Sequence, residues 1–511
     1  MKNILTEEAR KRIRKHPEFI FEHKDIRGVE YAFKSLLSVF AEEAVRGHGK
    51  EIEIYLFKDS SVSVHLVTNR GGLQLGEVAS DGTEWKKRLT DFGAGVQAEN
   101  YNEFLFDYIS PDYKTFEPKP CWDSMYKFPV LACNQYVSEF MLVSSKTGPY
   151  DKVKKISFKK GEADDYLTES DSALEGTYIH LKYDSKVFTD VAISKEFVSA
   201  LAQEMALLYD HVRFVLHMQN EDKSYIDEEY CYAGLDDYIK ETTESINDPC
   251  STFRIHESKD EPLGREYTAY IGAAVAFTKD KPSIQCYYNG HRLENGGAFL
   301  DELYKCLQEH INYISERACS HPLLTSLTKR ELKKHIAAVI DIKTIGCIPD
   351  WSDGRRTAIN NRMFTDLVRD MCRKEIRYSI FSNEDAVLDL LEIIREERYR
   401  DRAENKLLKK FERAIEDYES GDGKGAFISC LINAPRDEEG FASLTLPMYK
   451  TVCRTEPLFY YIMMTDYARF MTSDVYTSLC RLYTESICED LPEFFEVDDR
   501  FEKIYRNKGG I

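Results

Sequence analysis

Residues 29–46, VEYAFKSLLSVFAEEAVR, lead into residues 51–67, EIEIYLFKDSSVSVHLV, and the two stretches follow different periods. In the first, apolar side chains return every three or four positions, the spacing of one helix face. In the second they alternate, as in two half-buried strands joined by a turn near Asp59 and Ser60. A helix followed by a hairpin therefore opens the first domain. Strand patterns recur in FMLVSS (140–145), KISF (155–158), TYIHLKY (177–183) and VRFVLHM (212–218), with a helix from Lys195 to Leu208 before the last. Strands in one layer and helices in another define an α+β sandwich.

Beyond an acidic stretch at 221–248, EYTAYIGAAVAF (266–277) and SIQCYYNG (283–290) read as strands. A helix follows from about Gly297 to Ala318. A short helix at 327–335 then feeds strand IAAVIDIK (336–343), and TIGCIPDWSDGRR (344–356) reads as a loop. This order predicts a second α/β domain. From Met363 onward the pattern is helical. The charged run from Arg395 to Arg413 holds eight basic and five acidic residues, net only +3, as expected of a solvated helix rather than a DNA-binding one. The expected division is 1–225, 226–390 and a helical region at 391–511 rich in Tyr, Phe and Met.

With 511 residues, 43% of them hydrophobic, the chain has material for two or three cores. Its 69 Lys and Arg stand against 88 Asp and Glu, a net charge of -19 that repels polyanions. DNA binding is expected to be weak or absent. The 13 Cys form no CxxC pair, which argues against a disulfide framework or zinc ribbon and fits a reducing cytoplasm. Residues 1–20 carry Lys2, Arg10, Lys11, Arg12, Arg14 and Lys15 without an apolar core, so no secretory signal is read there. The apolar run Leu458 to Met464 is too short to cross a bilayer.

Several segments in order resemble the B subunit of DNA gyrase and topoisomerase IV, members of the GHKL ATPase superfamily. Arg14-Lys15-His16-Pro17-Glu18-Phe19-Ile20 resembles that family's R-K-R-P-G-M-Y-I, and Arg27-Gly28-Val29 its R-G-L. Glu42-Glu43-Ala44 resembles D-E-A, and the hairpin its I-E-V-x-L-x-x-D-G-S-V-x-V. Gly176-Thr177 matches a G-T that opens a late strand, and Phe188-Thr189 a following F-T. Downstream, NGHRLENGGAFLDEL (289–303) resembles N-N-I-x-T-x-E-G-G-T-H-x-x-G-F of the transducer, and AVIDIK (338–343) its A-V-V-S-V-K strand. The resemblance spans roughly residues 8 to 410. It implies a Bergerat-type α/β sandwich, then a transducer-like α/β domain, then a helical C-terminal unit.

Carried over residue by residue, the resemblance also implies a damaged nucleotide site. The carboxylate that activates water falls at Ser35, whose hydroxyl accepts no proton at neutral pH. The Mg²⁺ ligand falls at Val39, which has no oxygen. Sliding the alignment to make Glu42 or Glu43 the base misplaces the hairpin. The adenine-binding Asp of D-N-G-R-G-I-P falls at Leu66 without a gap, or at Thr68 with a two-residue insertion that keeps Asn69 and Gly72 matched; otherwise Gly71-Gly72 is simply a turn. The glycine lid that cradles phosphates, anchored on Asn134, falls on Ser124-Met125-Tyr126-Lys127-Phe128-Pro129. Gly93, Gly95 and Lys127 are left as surface-loop residues able to meet an anion. The transducer lysine falls at Asn360, with Arg355 and Arg356 just upstream. Glu43, Thr68, Asn69, Gly72, Gly176 and Thr177 would then be a vestigial pocket, with ATP and Mg²⁺ bound only if the site is less degraded than it reads.

Gly421-Asp422-Gly423-Lys424-Gly425 lacks the spacing of a P-loop, no His sits in an HExxH pattern, and the E-G-D-S-A-G-G of the DNA-cleaving domain does not occur. The expectation is a gyrase-B-like pseudo-ATPase that binds itself or another protein, for example a type II topoisomerase subunit, and does not associate with membranes. The alternative is a divergent ATP-binding topoisomerase subunit.

Overall fold

The computed structural model describes residues 4–398 apart from 69–70, 74, 76–106, 109–125, 127, 149, 164–166, 221, 260–265, 280, 319–326 and 383–384. By packing, the chain divides into two units, Met1–Leu390 and Leu391–Ile511. The charged run past residue 398, the P-loop-like glycines and the aromatic C-terminal region lie outside the described residues.

Unit one begins with helices α1 (Ile4–Lys15), α2 (Glu18–Phe21) and α3 (Ile26–Glu43). α3 starts at Asp25, whose carboxylate accepts from the Arg27 N–H, and buries Val29, Ala32, Phe33, Leu36, Leu37 and Phe40 along one face. Full burial of Phe33 and Phe40 contributes about 1.5–3 kcal/mol each. The helix expected over 29–46 thus begins earlier, and past Glu43 it widens into a π-helical turn, Ala44–His48, that breaks the α periodicity.

β1 (Glu51–Leu56) and β2 (Val62–Val67) pair antiparallel from Glu51↔Val67 to Leu56↔Val62. At their turn Asp59 Oδ1 accepts from Ser61 N at 3.1 Å and Ser61 Oγ at 2.6 Å, and Ser60 has φ 62°. Then come β3 (Gly71–Gly72), β4 (Asp107–Tyr108), α4 (Val130–Val137), β5 (Ser138–Lys146), β6 (Val153–Lys159), β7 (Glu162–Ala163), β8 (Thr168–Ser170), β9 (Gly176–Tyr183), α5 (Lys195–Leu208), β10 (Arg213–Gln219) and β11 (Tyr225–Tyr230). The main sheet runs β11-β10-β1-β2-β9-β5-β6-β7, with β8 also on β6, and β3 pairs β4 apart from it. Within this sheet β1 and β10 are parallel, because the long excursion through α5 brings the chain back in the same direction. α3 packs against α4 and α5, which gives the helical layer of the sandwich.

A second sheet follows α6 (Leu235–Thr242): β12 (Cys250–Lys259), β13 (Glu266–Phe277), β14 (Ser283–Tyr288), β15 (His291–Arg292), β16 (Gly296–Gly297), α7 (Ala298–Ala318), α8 (Lys329–Leu332), β17 (Ile336–Ile345), β18 (Ala358–Ile359), α9 (Arg362–Met371) and α10 (Arg377–Ser382). Its order is β12-β13-β17-β14-β15, with β14 and β17 parallel across the α7 crossover, and β16 pairs β18 separately. The helix read at 327–335 shortens to α8, held by a capping box between Thr328 and Glu331, because the chain turns at once into β17. The acidic stretch at 221–248 holds β11 and α6. Ala274, Ala276, Tyr287, Ala337 and Val339 of the second sheet join the hydrophobic cluster that α3 and the first sheet build. Among the described residues no helix is long and apolar enough to cross a membrane, and no group of His, Cys, Asp or Glu is placed to hold a metal ion.

Candidate functional site

Ser35 is fully buried on α3. Its hydroxyl donates to the Ala32 carbonyl at 2.7 Å and accepts from the Asn134 amide nitrogen at 3.2 Å. That nitrogen also donates to Val130 O at 3.0 Å, and Asn134 Oδ1 accepts from the Tyr183 hydroxyl at 2.8 Å. Burial pushes Tyr183 well above the usual tyrosine range, so it stays a donor. Ser35 is thus locked in a closed polar chain, linking α3, α4 and β9. Val39, one turn on, is buried as well.

Along α3, residues 31, 35, 38 and 42 share a face. Tyr126, in the segment that the resemblance assigns to the phosphate lid, lies against that face. Its ring meets Tyr31 edge-on at 5.6 Å, its hydroxyl shares a hydrogen bond with Ser38, and burial pushes its pKa far up. Phe128 continues the wedge, edge-on to Phe21 at 5.6 Å. Glu42, partly exposed on the same face, has its pKa raised to about 7 by burial, against the pull of Arg46.

Four of the proposed pocket residues come together at a second place. Thr177 Oγ1 accepts from the Leu73 N–H at 3.0 Å and bonds Ser145 Oγ at 2.9 Å. A Cβ on Gly72 would stand 2.8 Å from Lys146 O and from Ser145 Oγ, so only glycine allows this approach. Gly176 has φ +83°, and a Cβ there would fall 2.1 Å from Leu66 O and 2.9 Å from Thr68 N. Thr68 is buried. Asn69 lies outside the described residues, as do Ser124, Met125, Lys127, Gly93 and Gly95.

Glu43 stands in neither group. Its buried carboxylate pairs with Arg46 in the following turn and lies 3.5 Å from His48 Nε2. Just after β18, Asn360 is exposed, with its N–H on Asp350 O at 2.8 Å. Upstream, Arg356 sits at 5.9 Å over the Trp351 ring, close enough to Tyr31 to pull against the rise that burial imposes on its pKa, and close enough to His291 to add to the lowering caused by burial and Lys34. The loop at 344–356 therefore returns toward α3. Asn134, Tyr183 and Ser145, which complete these networks, are not marked in the sequence as site residues; Asn134 serves there only to anchor the lid segment, and the polar pair Asn134-Gln135 inside VLACNQYV is the available signal.

The chain shares its fold with solved ATPase-domain structures of gyrase B and topoisomerase IV. The chain is similar to the 43K ATPase domain of Thermus thermophilus gyrase B, solved with an aminocoumarin, at TM-score 0.55 and 17% identity over 78% of this chain and 98% of that one. It is similar to the gyrase B subunit of Myxococcus xanthus at TM-score 0.53 and 13% identity, covering 75% and 99%. Against the topoisomerase IV ATP-binding domain of Francisella tularensis, solved with a small-molecule inhibitor, the values are 0.50 and 14%, covering 75% and 95%. No family model and no curated protein matches the sequence.

Proposed function

We propose that this chain is a pseudo-ATPase of gyrase-B-like fold, acting as a binding, scaffold or regulatory partner of itself or another protein, a type II topoisomerase subunit being the first candidate. The observation that carries the reading is the Tyr126 wedge on the α3 face beside the locked Ser35 hydroxyl. The Ser35 hydroxyl is buried, held between Ala32 O and the Asn134 amide, and too weak a base to take a proton from water, and Val39 supplies no oxygen to a metal. Thr68 offers no carboxylate to adenine. These residues do not fit a Mg²⁺-bound triphosphate. In this reading the division into 1–225, 226–390 and 391–511 separates an ATPase-like part, a transducer-like part and a helical part; the change of sheet itself falls after β11 (Tyr225–Tyr230), just beyond the first boundary. Self-association is then indifferent to nucleotide.

A second reading, a divergent ATP-binding subunit, has Glu42 in its favour, since a carboxyl with a pKa of about 7 is matched to proton transfer at neutral pH. A thermal-shift titration separates the two. A ligand bound only by the folded chain raises stability by RT ln(1 + [L]/Kd). The pseudo-ATPase reading expects no shift with millimolar ATP and Mg²⁺; a saturable, Mg²⁺-dependent rise supports the second reading instead.

A further inference from the structure

Away from that site, α5, α6 and the second sheet enclose a cleft of about 370 Å³. Asp341 of β17 lines it, almost wholly buried. Its Oδ2 is engaged by Lys343 Nζ at 3.0 Å, and that ammonium also donates to Leu208 O at 2.8 Å. Asp341 Oδ1 has no hydrogen-bond partner. A buried carboxylate oxygen left in this condition costs free energy until a donor reaches it.

The register explains why none of the protein's own groups does. Asp341 stands directly opposite Gly272 on β13, so the cross-strand neighbour on the same face has no side chain to offer. A Cβ at Gly272 would meet the Tyr270 hydroxyl at 2.8 Å, and its absence keeps the floor of the cleft open.

We propose that this cleft binds a small organic cation with a flat head, a guanidinium or amidinium, which donates to Asp341 Oδ1. The sign follows from the lining. Among the described lining residues, Asp210 and Asp341 face one cation, Lys343, which is already committed to Asp341 and to a backbone carbonyl, while Asp236 has Lys240 at 3.7 Å. Asp210 is close enough to Asp341 to raise its pKa beyond what burial does alone, so an added positive charge relieves both. An anion would meet the carboxylates of Asp210 and Asp341, which one lysine does not balance. A bare metal is disfavoured, since no group of ligands in the described residues is placed for one. The flat shape follows from the rim, where Phe253, 59% exposed, stacks on Tyr270 with centroids 6.0 Å apart and planes 24° from parallel. Guanidinium and amidinium heads lie well on such ring faces.

The same head occurs on free aromatic amidines and on arginine side chains of proteins, so two probes are needed. Calorimetric titration of the full chain with benzamidine and with N-acetyl-arginine amide is expected to show saturable binding, while neutral benzamide shows none. Whichever probe binds tighter assigns the source. Asp341→Asn keeps the shape, removes the charge and is expected to weaken binding about tenfold or more. Phe253→Ala, at the exposed rim, is expected to weaken benzamidine while leaving the far-ultraviolet spectrum unchanged. Should Asp341→Asn not fold, Asp210→Asn, which is exposed, serves as the charge variant and is expected to weaken binding as well. Equal binding of benzamidine and benzamide, unchanged affinity in both charge variants, or no binding by either cation overturns the proposal and leaves the cleft to water.

Discussion

The Asn134 side chain joins Ser35 to Tyr183, donating to the serine hydroxyl at 3.2 Å and accepting from the tyrosine at 2.8 Å. All three residues are buried. Removing Asn134 takes away the acceptor of the buried Tyr183 hydroxyl and one of the two hydrogen bonds of Ser35, which keeps the bond to Ala32 O. Asn134→Ala is expected to lower the free energy of unfolding by about 2–4 kcal/mol. Urea denaturation measures it, and a loss under about 0.5 kcal/mol, the level of an ordinary surface change, would speak against the network.

Ser35→Glu is the obvious attempt at restoring a base. It places a carboxylate where the neighbours are the Ala32 carbonyl and an amide already shared with Val130. The variant is expected to lose about 3 kcal/mol or more and to gain no ATP turnover. Denaturation and a coupled phosphate-release assay on the same preparation check both halves. A stable variant that hydrolyses ATP would show that Ser35 faces a working site.

Gly176→Ala tests whether the matched glycine is kept for backbone reasons. With φ +83° and a Cβ 2.1 Å from Leu66 O, the substitution is expected to cost about 2–4 kcal/mol by displacing β9 from β2. The change in denaturation midpoint should be the same with and without ATP. A variant as stable as the parent would mean that the strand end is not held in this conformation.

Stability should fall between neutral and acid pH. Burial, reinforced by Lys34 and Arg356, lowers the His291 pKa from 6.5 to about 4. Burial, then Arg46, does the same for His48, where Arg46 already neutralises Glu43. The unfolded chain takes up these protons as pH drops through 6.5, and the folded chain holds them off until about 4. Their contribution is therefore whole above pH 6.5 and lost progressively below it, about 2–3 kcal/mol at most for each. His291→Gln is expected to flatten the slope of unfolding free energy between pH 6.5 and 4. An unchanged slope would place His291 in solvent.

The hairpin and α5 were legible because their signals are local: alternation in EIEIYL and VSVHLV, and apolar residues at helical spacing in KEFVSALAQEMALL. β12 was not, because it is an edge strand whose two alternating apolar residues, Phe253 and Ile255, lie on the exposed face. α4 escaped because all eight of its residues are buried, which erases helical period. α1 escaped because its charges hide its purpose: Arg14 reaches Tyr136 O at 2.6 Å and Asp184 at 2.5 Å, and Arg10 reaches Gly161 O at 3.0 Å. At the site, the positions of Ser35, Thr68, Gly72, Gly176 and Thr177 came from the order of motifs. Which groups fill the space between them depends on contacts across some hundred residues, such as Asn134 with Ser35, and no spacing rule encodes those.

The pseudo-ATPase reading meets its most direct test in steady-state ATP turnover by the full chain with Mg²⁺, compared with Glu42→Gln. Glu42 is the one carboxyl on the α3 face whose pKa, about 7, suits a base. The expected result is phosphate release at the no-enzyme background for both proteins. Mg²⁺-dependent turnover by the parent chain that Glu42→Gln abolishes would contradict the account and make this chain a divergent enzyme.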